Sequence, residues 1–152
     1  MITHVNKETR LVTGEIVFGQ PDGFSYILGY YPEAFAAFRG TLYEMFDQMH
    51  PVGKLIETIP HPETQSVTIV SRVLRGAQST WQKITDECVL TRYSISFVPD
   101  AEYGADRKEW PTKEYEGQHY PYLPKYTVVG VSYVDGPPAA KTASIVTTYY
   151  TE

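Results

Sequence analysis

Three alternating runs constrain this chain more than any other feature of it. They are residues 66–74 (SVTIVSRVL), 88–98 (CVLTRYSISFV) and 126–134 (YTVVGVSYV). Each is built from β-branched and aromatic residues, which suit a half-buried pleated surface. In the first, Val67, Ile69 and Val73 share one face while Val70 and Leu74 take the other. Apolar residues on both faces mark a central strand. In the second, Val89, Tyr93, Ile95 and Phe97 line one face, with Thr91 among them.

Two hairpins are expected around these runs. Residues 11–19 (LVTGEIVFG) place Val12, Ile16 and Phe18 on one face, and 24–31 (FSYILGYY) reads as a strand too. Between them lies Gln20-Pro-Asp-Gly23, in which proline presets φ for the second turn position. The third run and residues 143–150 (ASIVTTYY) form the second expected hairpin, its loop opening with Asp135-Gly-Pro-Pro138.

One long helix is expected between the strands. Pro32 and Glu33 suit a first helical turn. Phe35, Phe38, Leu42, Met45 or Phe46, and Met49 then recur at spacings of three and four, up to His50 and the breaker Pro51. Residues 52–65, with Pro60 and Pro62, read as an irregular connection. Residues 77–87 suit either a short helix capped by Ser79 and Gln82 or a strand edge. The order is ββ-α-β-(α?)-β-long loop-ββ. It implies an α+β class: a mainly antiparallel β-sheet with one long helix packed on a face, plus a long irregular loop. Phe35, Phe38, Leu42 and Phe46 are expected to pack on a sheet containing Val67, Ile69, Ile95 and Phe97. The 152 residues suit a single domain, 1–152, with a core of 11–98 and 126–150 and an arm of 99–125.

Few chemistries find support in the residues. The chain lacks G-x-G-x-x-G, the Walker pattern and G-x-S-x-G. Its histidines are His4, His50, His61 and His119, and none has a partner at H-x-x-x-H spacing. His50 and His61 with Glu63 form a conceivable metal set, but surface and helix-end histidines are the simpler reading. Cys88 opens an apolar strand and reads as a buried, inert thiol. As the lone cysteine it permits no intrachain disulfide and no multi-cysteine zinc site. A net charge of −5 argues against general nucleic-acid binding without excluding a local basic patch, for which Arg72 and Arg75 are the nearest pair. Residues 1–6 lack a signal-peptide pattern, and no apolar run reaches the roughly 18 residues of a membrane span. The expectation is a chain without cofactor, metal, membrane partner, or hydrolase, transferase or redox activity.

The segment 99–125 differs in character from the rest. It carries prolines, many charges and the rings of Tyr103, Trp110, Tyr115, Tyr120 and Tyr122 without periodicity. Large aromatics anchor interfaces, and Pro111, Pro121 and Pro124 lower the entropy lost on docking. These five rings are therefore the expected interface residues, unless they fold back onto the domain's own sheet. Glu102, Asp106, Glu109, Glu114 and Glu116 lie in the same stretch. A carboxylate pair there is able to act on a sugar, with the rings as stacking platforms. Charges that solvate a loop are the simpler account.

In texture the chain resembles the small structural proteins of tailed-bacteriophage particles, of neck, tail-completion or decoration type. The residues that carry this are the arm-like 99–125 and the segment 126–150, followed by the terminal Thr-Glu152. The resemblance implies a virion component without catalysis, in contact with other protein subunits as a homo-oligomer or part of a larger assembly. It implies no direct sequence-specific nucleic-acid binding and a virion location, with the cytoplasm otherwise. The alternative is a carbohydrate- or small-ligand-binding module, or a small enzyme, using the aromatics of 99–125.

Overall fold

A computed structural model describes residues 1–21, 25–38 and 40–135, and the backbone of 147–149. Its strands in chain order are β1 (Ile2–Asn6), β2 (Leu11–Val17), β3 (Ile27–Leu28), β4 (Thr41–Glu44), β5 (Pro51–His61) and β6 (Ser66–Val73). After the helix α1 (Gln78–Thr85) come β7 (Leu90–Pro99), β8 (Thr112–Tyr115), β9 (Gln118–Leu123), β10 (Tyr126–Asp135) and β11 (Thr147–Tyr149). Short 3-10 turns occupy Pro32–Phe35 and Arg107–Glu109.

The alternating runs become β6, β7 and β10, except that β7 begins at Leu90 and Val89, expected on its buried face, is exposed. β6 lies between β2 and β5, antiparallel to both, and buries Val67, Ile69, Ser71 and Val73 on one face. β7 and β10 run antiparallel from Tyr126↔Pro99 to Asp135↔Leu90. Tyr93, Ile95 and Phe97 of β7 and Tyr133 of β10 are fully buried. The eight-stranded sheet has the order β1-β2-β6-β5-β4-β10-β7-β11, and a second sheet the order β3-β9-β8.

The large sheet curls until β7 meets β2. Tyr93 crosses the interior and its hydroxyl donates to the Val12 carbonyl at 2.7 Å. The Ser71 hydroxyl lies 2.5 Å from that of Tyr93 and 2.6 Å from that of Tyr133. A phenol has one proton. With Tyr93 committed to Val12, Ser71 donates to Tyr93 and Tyr133 donates to Ser71. The buried chain is thus fully satisfied, as most polar groups inside a core are.

The fold is β-rich, and the long helix over 32–50 does not form. Residues 32–35 make a 3-10 turn, 41–44 enter the sheet as β4, and Met45 and Phe46 take positive φ. β4 joins β5 on one side and β10 on the other. The sheet contacts outweigh a helical periodicity that isolated helices depend on weakly. The apolar set survives in part: Phe35, Phe38 and Leu42 are buried with Val67, Ile69, Ile95 and Phe97, while Phe46 is half-buried in a turn.

Four further expectations are corrected. Residues 52–65 are mostly strand, because Pro51 starts β5 and Pro60 stands where β5 has a neighbour on one side. β2 pairs with β1 and β6, not with residues 25–31. Of the first expected hairpin the described residues keep the bridge Pro21↔Ile27 and the Gly19 amide donating to the Leu28 carbonyl at 2.8 Å. Of the second expected hairpin, the described residues 147–149 form β11, which pairs in parallel with β7 and not with β10; residues 136–146 and 150 lie outside the described residues. The stretch 99–125 is no irregular loop. It folds into the Arg107–Glu109 turn and the β8–β9 hairpin, closed by Glu116 and Gly117 at φ 49° and 81°. Two positive φ values in a two-residue loop match the twist of paired strands. The helix over 77–87 forms, but Ala77 caps it without a side-chain bond.

Candidate functional site

The five aromatic positions of 99–125 separate into an inner and an outer group. Trp110 is buried at 4% exposure. Its Nε1 donates to the Gly104 carbonyl at 2.9 Å, and its ring meets Tyr26 edge-on at 5.8 Å. Tyr103 is half-buried against the same core. Tyr115, Tyr120 and Tyr122 are half-buried along the β8–β9 hairpin. Lys113 sits 5.0 Å over the Tyr122 ring, and the Tyr120 hydroxyl donates to Gln118 at 2.8 Å. Trp110 therefore anchors the arm to its own domain, and Tyr122 packs against Gly29 of the same domain, while Tyr115 and Tyr120 lie further out along the hairpin.

The residues singled out for chemistry are dispersed. His50 Nδ1 meets Asp47 Oδ2 at 2.8 Å, where Asp47 also accepts from the Met49 amide. These bonds hold the Asp47 carboxyl below its ordinary range, that from His50 first. The pair closes an exposed turn. His61 Nε2 meets Thr68 Oγ1 at 2.7 Å on another strand pair. Among the described residues no group of three His, Cys, Asp or Glu side chains is placed to hold a metal. Cys88 is exposed, contrary to the buried thiol expected, because it follows α1 in a left-handed turn and burial resumes at Leu90. Its thiol points at the Thr85 carbonyl. Asp106 caps the 3-10 turn through the Lys108 amide, which ties up one carboxylate of the arm. Burial, the dominant cause, pushes the Tyr93 and Tyr126 hydroxyls far above their ordinary range. They are neutral structural groups near neutral pH.

Open grooves among the described residues include three with distinct linings. One, of about 400 Å³, runs between Phe35, Phe38, Gly40 and Thr41 on one wall and residues 54–58 of β5 on the other. A second, of about 570 Å³, has an apolar wall with Met49, Val52 and Leu74 and a polar wall with Glu44, Thr80 and Lys83. Glu44 accepts from Thr80 and Lys83, each at 2.8 Å. The third, of about 620 Å³, is lined by Lys7, Arg10, Arg72 and Arg75.

The first groove borders an open sheet edge. β4 reaches β5 only at Pro51, Gly53 and Lys54, and the Leu55 amide still donates to the Gly40 carbonyl at 3.1 Å. Beyond Leu55, β5 has β6 on one side and no strand among the described residues on the other. A bulge between Leu55 and Glu57 turns Ile56 outward. Ile56 and Ile59 are 48% and 37% exposed along this edge. Sequence reasoning missed the site because residues 52–65 read as a loop.

No family model matches the chain, and neither a curated protein nor a solved structure matches it. No helix among the described residues is long and apolar enough to cross a membrane.

Proposed function

We propose that this chain is a non-enzymatic assembly protein that acts through contacts with other protein subunits. The observation that carries the reading is the open half of β5. A strand with unpaired N–H and C=O groups on one side is a template for another strand. Natural folds cover such an edge or load it with charge and proline. Here Pro60 and Glu57 do so in part, yet Ile56 and Ile59 stand exposed between and beside them. The groove against Phe35 and Phe38 gives an added strand a place for a side chain. The texture shared with small tailed-phage structural proteins supports a virus particle as the assembly, with other subunits or further copies as partners.

Light scattering on the full chain, alone and with its natural neighbours, tests the reading. The expected result is a concentration-dependent assembly that Ile56→Lys with Ile59→Lys abolishes while the melting temperature holds. A wild-type chain that stays monomeric in every mixture would refute an assembly role.

A further inference from the structure

Four cations from separated stretches meet in the largest of the three grooves: Lys7 and Arg10 of the β1–β2 turn, Arg72 of β6, and Arg75 beyond it. Glu8 is the one carboxylate in its lining. Among the described residues, Lys7, Arg72 and Arg75 enter no ion pair, whereas Lys83 and His50 each have a carboxylate at 2.8 Å. Lys54 stands directly across from Arg72 on β5. Like charges opposite one another destabilise a sheet. The fold thus concentrates positive charge that it leaves unmatched, in a chain whose net charge is −5.

Arg10 is the fixed member of the group. Its guanidinium donates to the Leu74 carbonyl at 2.9 Å and to Gln78, and lies 5.3 Å over the Trp81 ring. Two of its five N–H donors are used there, and the others are held in a set orientation. A rigid, planar donor fork suits phosphate oxygens.

We propose that this groove binds the phosphodiester backbone of a nucleic acid without reading its sequence. The spread of the four cations over two stretches, 7–10 and 72–75, suits successive phosphates and not a single one. An acidic protein partner is the poorer fit, because interfaces are anchored by large apolar or aromatic side chains. Leu74 is the one exposed apolar side chain of this lining. Negative charge elsewhere on the chain is screened beyond about 8 Å at physiological ionic strength. The inference is independent of the assembly reading and needs no second copy.

Fluorescence anisotropy with a labelled random-sequence oligonucleotide, single-stranded and duplex, tests it. The full chain is expected to bind both, more weakly as salt rises from roughly 50 to 200 mM. Arg72→Ala with Arg75→Ala should weaken duplex binding about tenfold or more and flatten the log–log salt slope by nearly 2. Lys7→Ala, on a different stretch, should flatten it by about 1, and Glu8→Gln should tighten binding. Melting temperatures of these variants should match or exceed the wild type, since each arginine or lysine removed relieves repulsion. Absence of binding at the lower salt would overturn the proposal, as would wild-type affinity in all the arginine and lysine variants. Displacement of the oligonucleotide by inorganic phosphate, polyglutamate or phosphatidylserine vesicles at equal charge concentration would assign the groove to those ligands instead.

Discussion

Gly14 and Gly53 are the positions at which two tyrosines enter the core. A Cβ on Gly14 would stand 2.7 Å from the Tyr93 ring and 2.8 Å from the Met1 carbonyl. On Gly53 it would stand 2.6 Å from the Tyr133 hydroxyl. Neither ring can retreat without breaking its bond to Ser71. Gly14→Ala is therefore expected to cost about 1–3 kcal/mol, the usual penalty of overpacking, measured by urea titration. Gly76→Ala is the control, since nothing lies within 4 Å of its added carbon, and its stability should equal or slightly exceed that of the parent. The Glu44–Lys83 pair makes a second prediction. Burial pushes the Glu44 carboxyl up, but hydrogen bonds from Lys83 and Thr80, together with the Lys83 charge, outweigh it and leave the group below its ordinary value of 4.5. A carboxyl lowered on folding stabilises the fold above its unfolded pKa. That contribution is lost as pH falls through the lowered value. Exposed pairs contribute about 0.2–1 kcal/mol. Glu44→Gln should thus destabilise the chain by an amount in that range near neutral pH and by nothing once the carboxyl is protonated. A difference that persists in acid would show that packing, not charge, carries the effect.

At the scale of elements, the strands that alternate cleanly were legible and the helix was not. β6, β7 and β10 each announce themselves by period-two burial of large residues such as Ile69, Ile95 and Tyr133. The stripe from Phe35 to Met49 has helical spacing, yet its members are buried for separate reasons: Phe35 through a 3-10 turn, Leu42 through β4. Met49 is 83% exposed, where a helical stripe would have buried it. Phe38→Ala should cost about 3–5 kcal/mol under either arrangement and so does not discriminate. Met49→Lys does: it should leave stability within about 0.5 kcal/mol of the parent, as a surface change does. A loss of several kcal/mol would restore the helix. In the candidate site, the open half of β5 was hidden by its prolines, because their cost depends on which side of a strand has a neighbour. The basic groove was half visible as Arg72 and Arg75, and its other half comes from the turn before β2, joined through pairing that no local pattern encodes. The β8–β9 hairpin carries a further test. Its amides, including Tyr122 N–H donating to Pro111 at 2.7 Å, should be slow in hydrogen exchange in the isolated chain. Fast exchange there would mean that the arm is ordered only by a partner.

At the scale of the whole molecule, the large sheet is two antiparallel units joined by a parallel seam. β1, β2, β6 and β5 come from the first half of the chain and make one unit; β7 and β10 make the other. β4 joins them, with Leu42 beside Gly53 on one side and Val131 on the other. Pairings this distant in sequence must close large loops before they stabilise anything. Refolding on the order of milliseconds to seconds is expected in stopped-flow fluorescence. A microsecond phase that carries the full amplitude would contradict the seam. The same seam bears on synthesis. While a ribosome extends the chain from His61 towards Tyr133, β4 has β5 on one side and no strand on the other, and the face that Tyr133 later covers stands bare. The nascent protein thus carries a second, temporary sheet edge until β10 is made, and a product truncated before β10 keeps that edge for good.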